Sequence, residues 1–335
     1  MLSKLISLND RIFIAGATGM AGSAICRSLV ASGYGDKRNG GCLLIPSHNE
    51  LDLLDLPSLL EWFEKYRPSV VVIAAAKVGG ILANKTYPSD FLLENIKIQT
   101  NVIETAWKYG VRRLLFLGSS CMYPKNAIQP IKEEELLTGE IEPTNEWYAI
   151  AKLSGLKLCE ALRRQHGFDA ISLMPTNLYG LGDNYHPKNS HVMGALIRRF
   201  TSAVKEKKEF ITCWGTGLPT REFLYADDFG DACVFCLENW DPSSLDAPKD
   251  VNNELLNHLN VGTGSEISIK DLASMISKIT GYSGEILWDA SKPDGALRKQ
   301  LDSRRLISLG WSPKVSFECG LQSAINFFNK IDKNY

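Results

Sequence analysis

Gly16-Ala17-Thr18-Gly19-Met20-Ala21-Gly22 follows directly on an apolar run at 11–15 and leads into a helical stretch at 23–32. A turn of this form, placed on the first strand of a chain, admits few folds. The first glycine makes the tight turn, the second lets backbone approach a pyrophosphate, and the third lets the helix pack on the strand. The helix N-terminus then presents unpaired amides to phosphate. This placement separates a dinucleotide cradle from a merely tight turn. Gly16, Ala17, Thr18, Gly19, Met20, Ala21 and Gly22 are accordingly the expected cofactor contacts.

The first half continues the same rhythm. Apolar runs near 41–45, 69–74 and 113–117 alternate with amphipathic stretches at 56–66 and 90–109, the pattern of a doubly wound parallel sheet. Strands as continuously apolar as Leu114-Leu115-Phe116-Leu117 fit a sheet covered on both faces, and such sheets bind ligands at the carboxyl ends of their strands. In 90–109, Phe91, Asn95, Ile98, Val102 and Thr105 share one face, so a single long helix is expected. After Pro175 the texture shifts to loops rich in Gly, Pro, Asn and His, while 223–237 and 258–261 read as returns to the main sheet. The expected architecture is α/β, with a Rossmann-like doubly wound parallel sheet at 1–178 and 223–262. A smaller, discontinuous α/β substrate lobe is expected at 179–222 and 263–335. Segment 239–257 reads as a surface insertion, and the polar end, 330–335, is expected to fray.

Charge and cysteine usage narrow the classes further. With 37 basic and 38 acidic residues the net charge is −1, without the basic excess of a nucleic-acid binder. Any anionic ligand must then meet locally placed charges, and no nucleic-acid partner is expected. The longest apolar run, Val70 to Ala76, is far short of the ~20 residues that cross a bilayer. Residues 1–11 lack the apolar core of a signal peptide, so a cytoplasmic protein without a membrane partner is expected. The eight cysteines are scattered, mostly inside apolar segments, and read as small buried hydrophobes in a reducing compartment. Cys233 and Cys236 have the spacing of redox or zinc chemistry, but no second pair follows and the segment reads as helix. No metal site is expected.

Tyr148 and Lys152 stand four apart in the helical stretch Trp147-Tyr148-Ala149-Ile150-Ala151-Lys152, so their side chains share a face. A cation beside a phenol favours phenolate and lowers its pKa from ~10 toward working pH. That spacing alone is ordinary. What distinguishes it is Ser119, in Gly118-Ser119-Ser120-Cys121 at the end of the strand 113–117, where a hydroxyl can hydrogen-bond a reacting carbonyl oxygen. After the second strand comes Pro46-Ser47-His48-Asn49, with neither an acid for an NAD ribose nor an arginine for a 2′-phosphate. The missing acid leans toward NADPH/NADP, with Ser47 and His48 as donors to that phosphate; a plain polar loop is the alternative.

The glycine motif, Ser119 and the Tyr148/Lys152 pair together resemble the extended short-chain dehydrogenase/reductase family. The resemblance implies that Lys152 binds the nicotinamide ribose, that Tyr148 handles the carbonyl proton, and that Ser119 polarises the same oxygen. It further implies cofactor contacts at His48, Leu117, Gly118, Ser119, Ser120, Lys152, Pro175, Thr176, Asn177, Leu178 and His191. Longer strings extend the likeness over essentially the whole chain: Ala74-Ala75-Ala76-Lys77-Val78-Gly79-Gly80, Gly118 to Pro124, Glu142 to Glu146, Pro175 to Gly180, Asn189 to Val192, and Lys292-Pro293-Asp294-Gly295. They are similar to members that act on GDP-4-keto-6-deoxymannose, inverting sugar carbons three and five and then reducing the carbon-four ketone with NADPH to GDP-L-fucose.

By that resemblance Cys121 and His191 exchange the two protons, Arg199, Trp214, Arg221 and Asp294 bind the GDP-sugar, and two chains form a homodimer through helices of the main sheet. The residue types suit those roles. A thiolate is an effective base, histidine titrates near neutrality, and the guanidinium fork pairs two phosphate oxygens. Thr18 departs from the pattern, standing where some relatives carry a basic residue suited to a 2′-phosphate. Plainer roles stay open at this point: a small buried hydrophobe for Cys121, a loop histidine for His191, core packing for Trp214, and a solvated helix face for an arginine, which fits Arg198 better than Arg199. Two rival functions also stay open. One is a nucleotide-sugar 4-epimerase or 4,6-dehydratase that recycles its hydride, although a dehydratase is expected to offer a carboxylate near the serine, where Cys121 stands. The other is a non-catalytic dinucleotide sensor.

Overall fold

A computed structural model describes residues 4–187, 189–292 and 294–332. Pro293 of the Lys-Pro-Asp-Gly string and the last three residues of the expected frayed end lie outside them. The first half runs β1 (Arg11–Ala15), α1 (Met20–Ala31), β2 (Cys42–Leu44), α2 (Leu56–Tyr66), β3 (Val70–Ile73), α3 (Ile81–Thr86), α4 (Pro88–Lys108), β4 (Arg113–Leu117), α5 (Glu146–His166) and β5 (Ala170–Pro175). The second half runs β6 (Asn177–Tyr179), α6 (Val192–Lys205), β7 (Phe210–Trp214), β8 (Thr220–Tyr225), α7 (Ala226–Asn239), β9 (His258–Val261), β10 (Glu266–Ser268), α8 (Ile269–Thr280), β11 (Glu285–Asp289), β12 (Arg298–Lys299), α9 (Arg304–Ser308) and α10 (Phe317–Ile331).

Six parallel strands form the main sheet in the order β2-β1-β3-β4-β5-β9. Their side chains alternate between two cores, which is why the strands read as continuously apolar. Ile12, Ile14, Val70, Val72, Leu115 and Leu117 pack on one face against α1 and α7. Phe13, Ala15, Val71, Ile73, Leu114 and Phe116 pack on the other against α2, α4 and α5. The chain turns in opposite directions on either side of β1 and β3, so the crevice at their carboxyl ends is the switch point where such sheets bind ligands. Cys233 and Cys236 are fully buried on α7 within the first of these cores, and burial pushes both thiols up.

The second half builds a third core from α6, α8, α10 and smaller sheets. There β8 pairs with β10, β12 and β6, while β7 pairs with β11. This corrects one expectation. Segment 258–261 does return as the sixth strand, beside β5, but the strand in 223–237 joins the second sheet and only α7 comes back to the first. An apolar run announces a strand without saying which sheet receives it. Among the described residues no helix is long and apolar enough to cross a membrane.

Candidate active site

The glycine turn is shaped by backbone crowding. Gly16 has φ +85°, and a Cβ there would lie 2.6 Å from the Ala75 amide nitrogen. A Cβ on Gly22 would lie 2.1 Å from the Gly16 carbonyl oxygen. On Gly19 it would meet nothing closer than 3.5 Å, so the middle position needs no glycine for the protein's own packing. Its bareness faces outward, as a phosphate requires. Gly19 also caps α1 without a side-chain hydrogen bond, which leaves the first-turn amides available. These features fit a dinucleotide pyrophosphate. Beyond β2, the Ser47 hydroxyl and amide both donate to Glu50, at 2.8 and 2.7 Å, so the loop does carry an acid, one residue beyond the Pro46–Asn49 string. His48 is exposed, with Nδ1 4.0 Å from Asp52.

At the end of β4 the chain makes a single 3₁₀ turn, Ser120–Met122, capped by Ser119. The Ser119 oxygen accepts the Cys121 amide at 3.2 Å, and its hydroxyl lies close enough to the Tyr148 phenol to act on it, favouring the phenolate. Tyr148 comes from the first turn of α5, and Lys152 one turn later is 3 % exposed. The Lys152 ammonium donates to the Leu117 carbonyl at 2.8 Å and lies 4.8 Å from the Phe116 ring centre. Burial pushes its pKa down to about 8. The phenol behaves contrary to the sequence expectation: burial first, then the Cys121 charge, pushes it up, against the lowering hydrogen bond from Ser119. Lys152 is not among the groups that offset this; its ammonium is turned to the strand end.

Cys121 is half-buried and polar in its surroundings. Asn145, the N-cap of α5, donates Nδ2 to its sulfur at 3.2 Å, and Lys299 of β12 approaches it at 3.8 Å. Asn145 lies in the Glu142–Glu146 string without a role having been read for it, and nothing in the sequence flagged Lys299. His191 caps α6. The residue is exposed, and desolvation by its surroundings holds the imidazole below its ordinary pKa. Its loop packs on the Gly79-Gly80 turn, where a Cβ on Gly80 would lie 3.1 Å from the Ser190 carbonyl.

Four further residues come from the lobe. Trp214 is 67 % exposed, which removes core packing as its role, and the Lys292 ammonium stands 5.9 Å from its ring centre. Asp294 accepts the Thr216 amide at 2.9 Å and hydroxyl at 2.7 Å, fixing the turn beside Trp214. Arg221, on β8, is pushed down by burial and pulled up by Asp294 and Glu142. Arg199 donates to the Thr212 carbonyl at 2.7 Å and is anchored to β7, whereas Arg198 buries its Nε without a hydrogen-bond partner. Where the chain leaves β5 for β6, Thr176 and Asn177 donate to the Glu222 carbonyl at 3.2 and 2.8 Å. The structure thus joins Ser119, Cys121 and Tyr148 in one cluster, sets Lys152 beneath the same strand end, and holds Arg221 and Asp294 together in the lobe.

The model of the NAD dependent epimerase/dehydratase family matches residues 12–252. The chain is 49% identical to GDP-L-fucose synthase 1 of Arabidopsis thaliana over 98% of its own length and 97% of that protein. To the GDP-L-fucose synthase of Escherichia coli (strain K12) it is 48% identical, over 95% of this chain and 96% of that one. Among solved structures, a GDP-mannoheptose C4 reductase from Campylobacter jejuni with NADP bound superposes with a TM-score of 0.83 at 31% identity, covering 97% of this chain and 99% of that one.

Proposed function

The chain belongs to the NAD dependent epimerase/dehydratase family and, within it, to the GDP-L-fucose synthases, and on that premise we propose how its residues divide the work. It is an NADP-dependent oxidoreductase with epimerase activity. It inverts carbons three and five of GDP-4-keto-6-deoxy-D-mannose and reduces the ketone at carbon four, giving GDP-L-fucose. NADPH, when bound, supplies the hydride for carbon four.

One observation carries the residue assignment: two hydroxyls, of Ser119 and Tyr148, meet beside the sulfur of Cys121. Both hydrogens next to the ketone are acidified by it. Cys121 takes the proton from carbon three or five, and the C–H electron pair moves into an enolate whose oxygen is held by Ser119 and Tyr148. His191 returns a proton from the opposite face, and solvent restores both groups. Once the centres are inverted, Tyr148 gives its proton to the carbon-four oxygen as the hydride arrives. A phenol held protonated by burial suits that donor role.

The turn 16–22 holds the pyrophosphate, with Lys152 on the ribose side, His48 toward the 2′-phosphate, and further contacts from 117–120, 175–178 and His191. Arg199, Trp214, Arg221 and Asp294 bind the GDP-sugar. We assign 1–178 and 223–262 to the NADP domain and 179–222 and 263–335 to the nucleotide-sugar lobe. Strand β8 straddles that seam, since Leu224 packs in the first core and Phe223 and Tyr225 in the third. Two chains associate in the cytoplasm through helices of the main sheet, a reading supported by Leu93 on α4 and Trp147 on α5, 53 % and 39 % exposed.

The test is NADPH oxidation with GDP-4-keto-6-deoxymannose, with the sugar product identified. Stoichiometric oxidation and GDP-L-fucose are expected; a product with carbons three and five uninverted would overturn the division of labour.

A further inference from the structure

Lys299 lies in the two-residue strand β12, whose register places it beside Arg221 of β8. In a parallel pair, register partners point to the same side of the sheet. One of these two cations stands near Asp294 of the nucleotide-sugar group, and the other reaches the sulfur of Cys121. The position of β12 is fixed just beyond Lys299. Gln300 donates to Gln129 Oε1 at 2.9 Å, Ile131 donates to the Gln300 carbonyl at 2.8 Å, and Leu301 donates to Glu222 Oε2 at 2.9 Å. The loop that carries Cys121 and the strand that carries Lys299 are therefore laced together.

An ammonium has donors and no acceptor, so a sulfur facing it can only accept. The Asn145 amide approaches the same sulfur as a donor, although this leaves its own Oδ1 buried without a partner. Two donors converging on one sulfur suit a thiolate, which accepts far better than a thiol. We propose that Lys299, together with the Asn145 amide, holds Cys121 in its base form, so that the lobe supplies part of the epimerisation site. Lys299 is a positioning residue: it acts on the proton through Cys121. The proposal rests on the reading of Cys121 as the group that takes the proton. The titratable groups set against that sulfur include Tyr148 from α5, whose negative form would oppose the thiolate, and Lys299 from β12, which favours it.

The experiment follows deuterium entry at carbons three and five of GDP-4-keto-6-deoxymannose, in deuterium oxide without NADPH, from neutral to alkaline pH. Lys299→Met is expected to lower the exchange rate about tenfold near neutrality and to recover as pH rises, its rising limb displaced by about one pH unit. Lys299→Arg restores the wild-type profile. Lys299→Gln, which keeps a donor without the charge, shows the same alkaline displacement and serves should the methionine variant not fold. A profile overlying the wild type, or a uniform loss with no displacement and a lowered melting temperature, overturns the proposal. Cys121→Ser separates the two levels. Lost exchange with NADPH binding retained supports the base assignment, and persistent exchange overturns that assignment whatever Lys299 does.

Discussion

Tyr148 and Lys152 are both perturbed by burial, in opposite directions that each favour the neutral side chain. For the tyrosine this means a retained proton, ready to be given to an oxygen. Tyr148→Phe is expected to lower the reduction rate by about 10²–10⁴-fold, the ordinary range for loss of a general acid. Deuterium entry at the sugar carbons should fall less, because Ser119 remains to hold the enolate oxygen; equal losses in both assays would contradict the donor role. For the lysine, a folded-state pKa of about 8 lies below the ordinary 10.5, so the native state releases its proton first as pH rises. Stability attributable to this group therefore increases between those two values and is lowest below them. Relative to Lys152→Met, the ligand-free protein should gain up to about 3 kcal/mol over that window, measured by urea unfolding. The sequence anticipated that Ser119 and Tyr148 stand together and misjudged how the cation acts. Helical spacing puts Lys152 near the phenol, but only the folded strand end offers the Leu117 carbonyl that claims its ammonium.

At the scale of single elements, the turn between β1 and α1 has no slack. A Cβ on Gly22 would run into the Gly16 carbonyl, which is backbone and cannot swing aside. Gly22→Ala must push α1 off its strand and with it the amides that face the phosphates. Expected are a loss of about 1–3 kcal/mol in stability, as for other overpacked sites, and a clear drop in NADPH affinity by fluorescence titration. Unchanged affinity would mean that the helix N-terminus does not hold the cofactor. These elements were legible because a glycine pattern and a continuous apolar run are local signals. The destination of β8 was not, since its run Phe223-Leu224-Tyr225 looks like any buried strand and its partners, β6, β10 and β12, are too short to announce themselves. Lys299 escaped notice, and Asn145 received no role within the Glu142–Glu146 string, for the same reason: their meaning lies in a sulfur that only the tertiary fold brings near.

For the whole molecule, the seam between the sheets depends on Glu222, which is fully buried. Its carboxylate accepts the amides of Thr263, Gly264 and Leu301 at 2.6, 2.7 and 2.9 Å. These tie β8 to the segment after β9 and to the strand that carries Lys299. Burial raises its pKa and the three amides lower it, with burial the larger effect. Glu222→Gln sets an amide donor against at least one backbone donor, so about 2–4 kcal/mol of stability should be lost. Arg221 is the preceding residue and Lys299 lies two before Leu301, so GDP-sugar affinity and deuterium exchange should weaken together. Loss of stability with both functions intact would show that the seam is structural only.

The main sheet has one further consequence, for the order in which the chain becomes a protein. β5 ends at Pro175, but its neighbour β9 begins only at His258. As the polypeptide emerges from the ribosome, five strands are available while the outer edge of β5 still has unpaired amides and carbonyls. The missing partner follows only after β6, α6, β7, β8 and α7 have been made. An open apolar edge of that kind is a template for pairing with other chains. Nascent chains of this protein therefore carry their greatest risk of aggregation while residues 176–257 are being synthesised, and the arrival of four residues, His258–Val261, ends it.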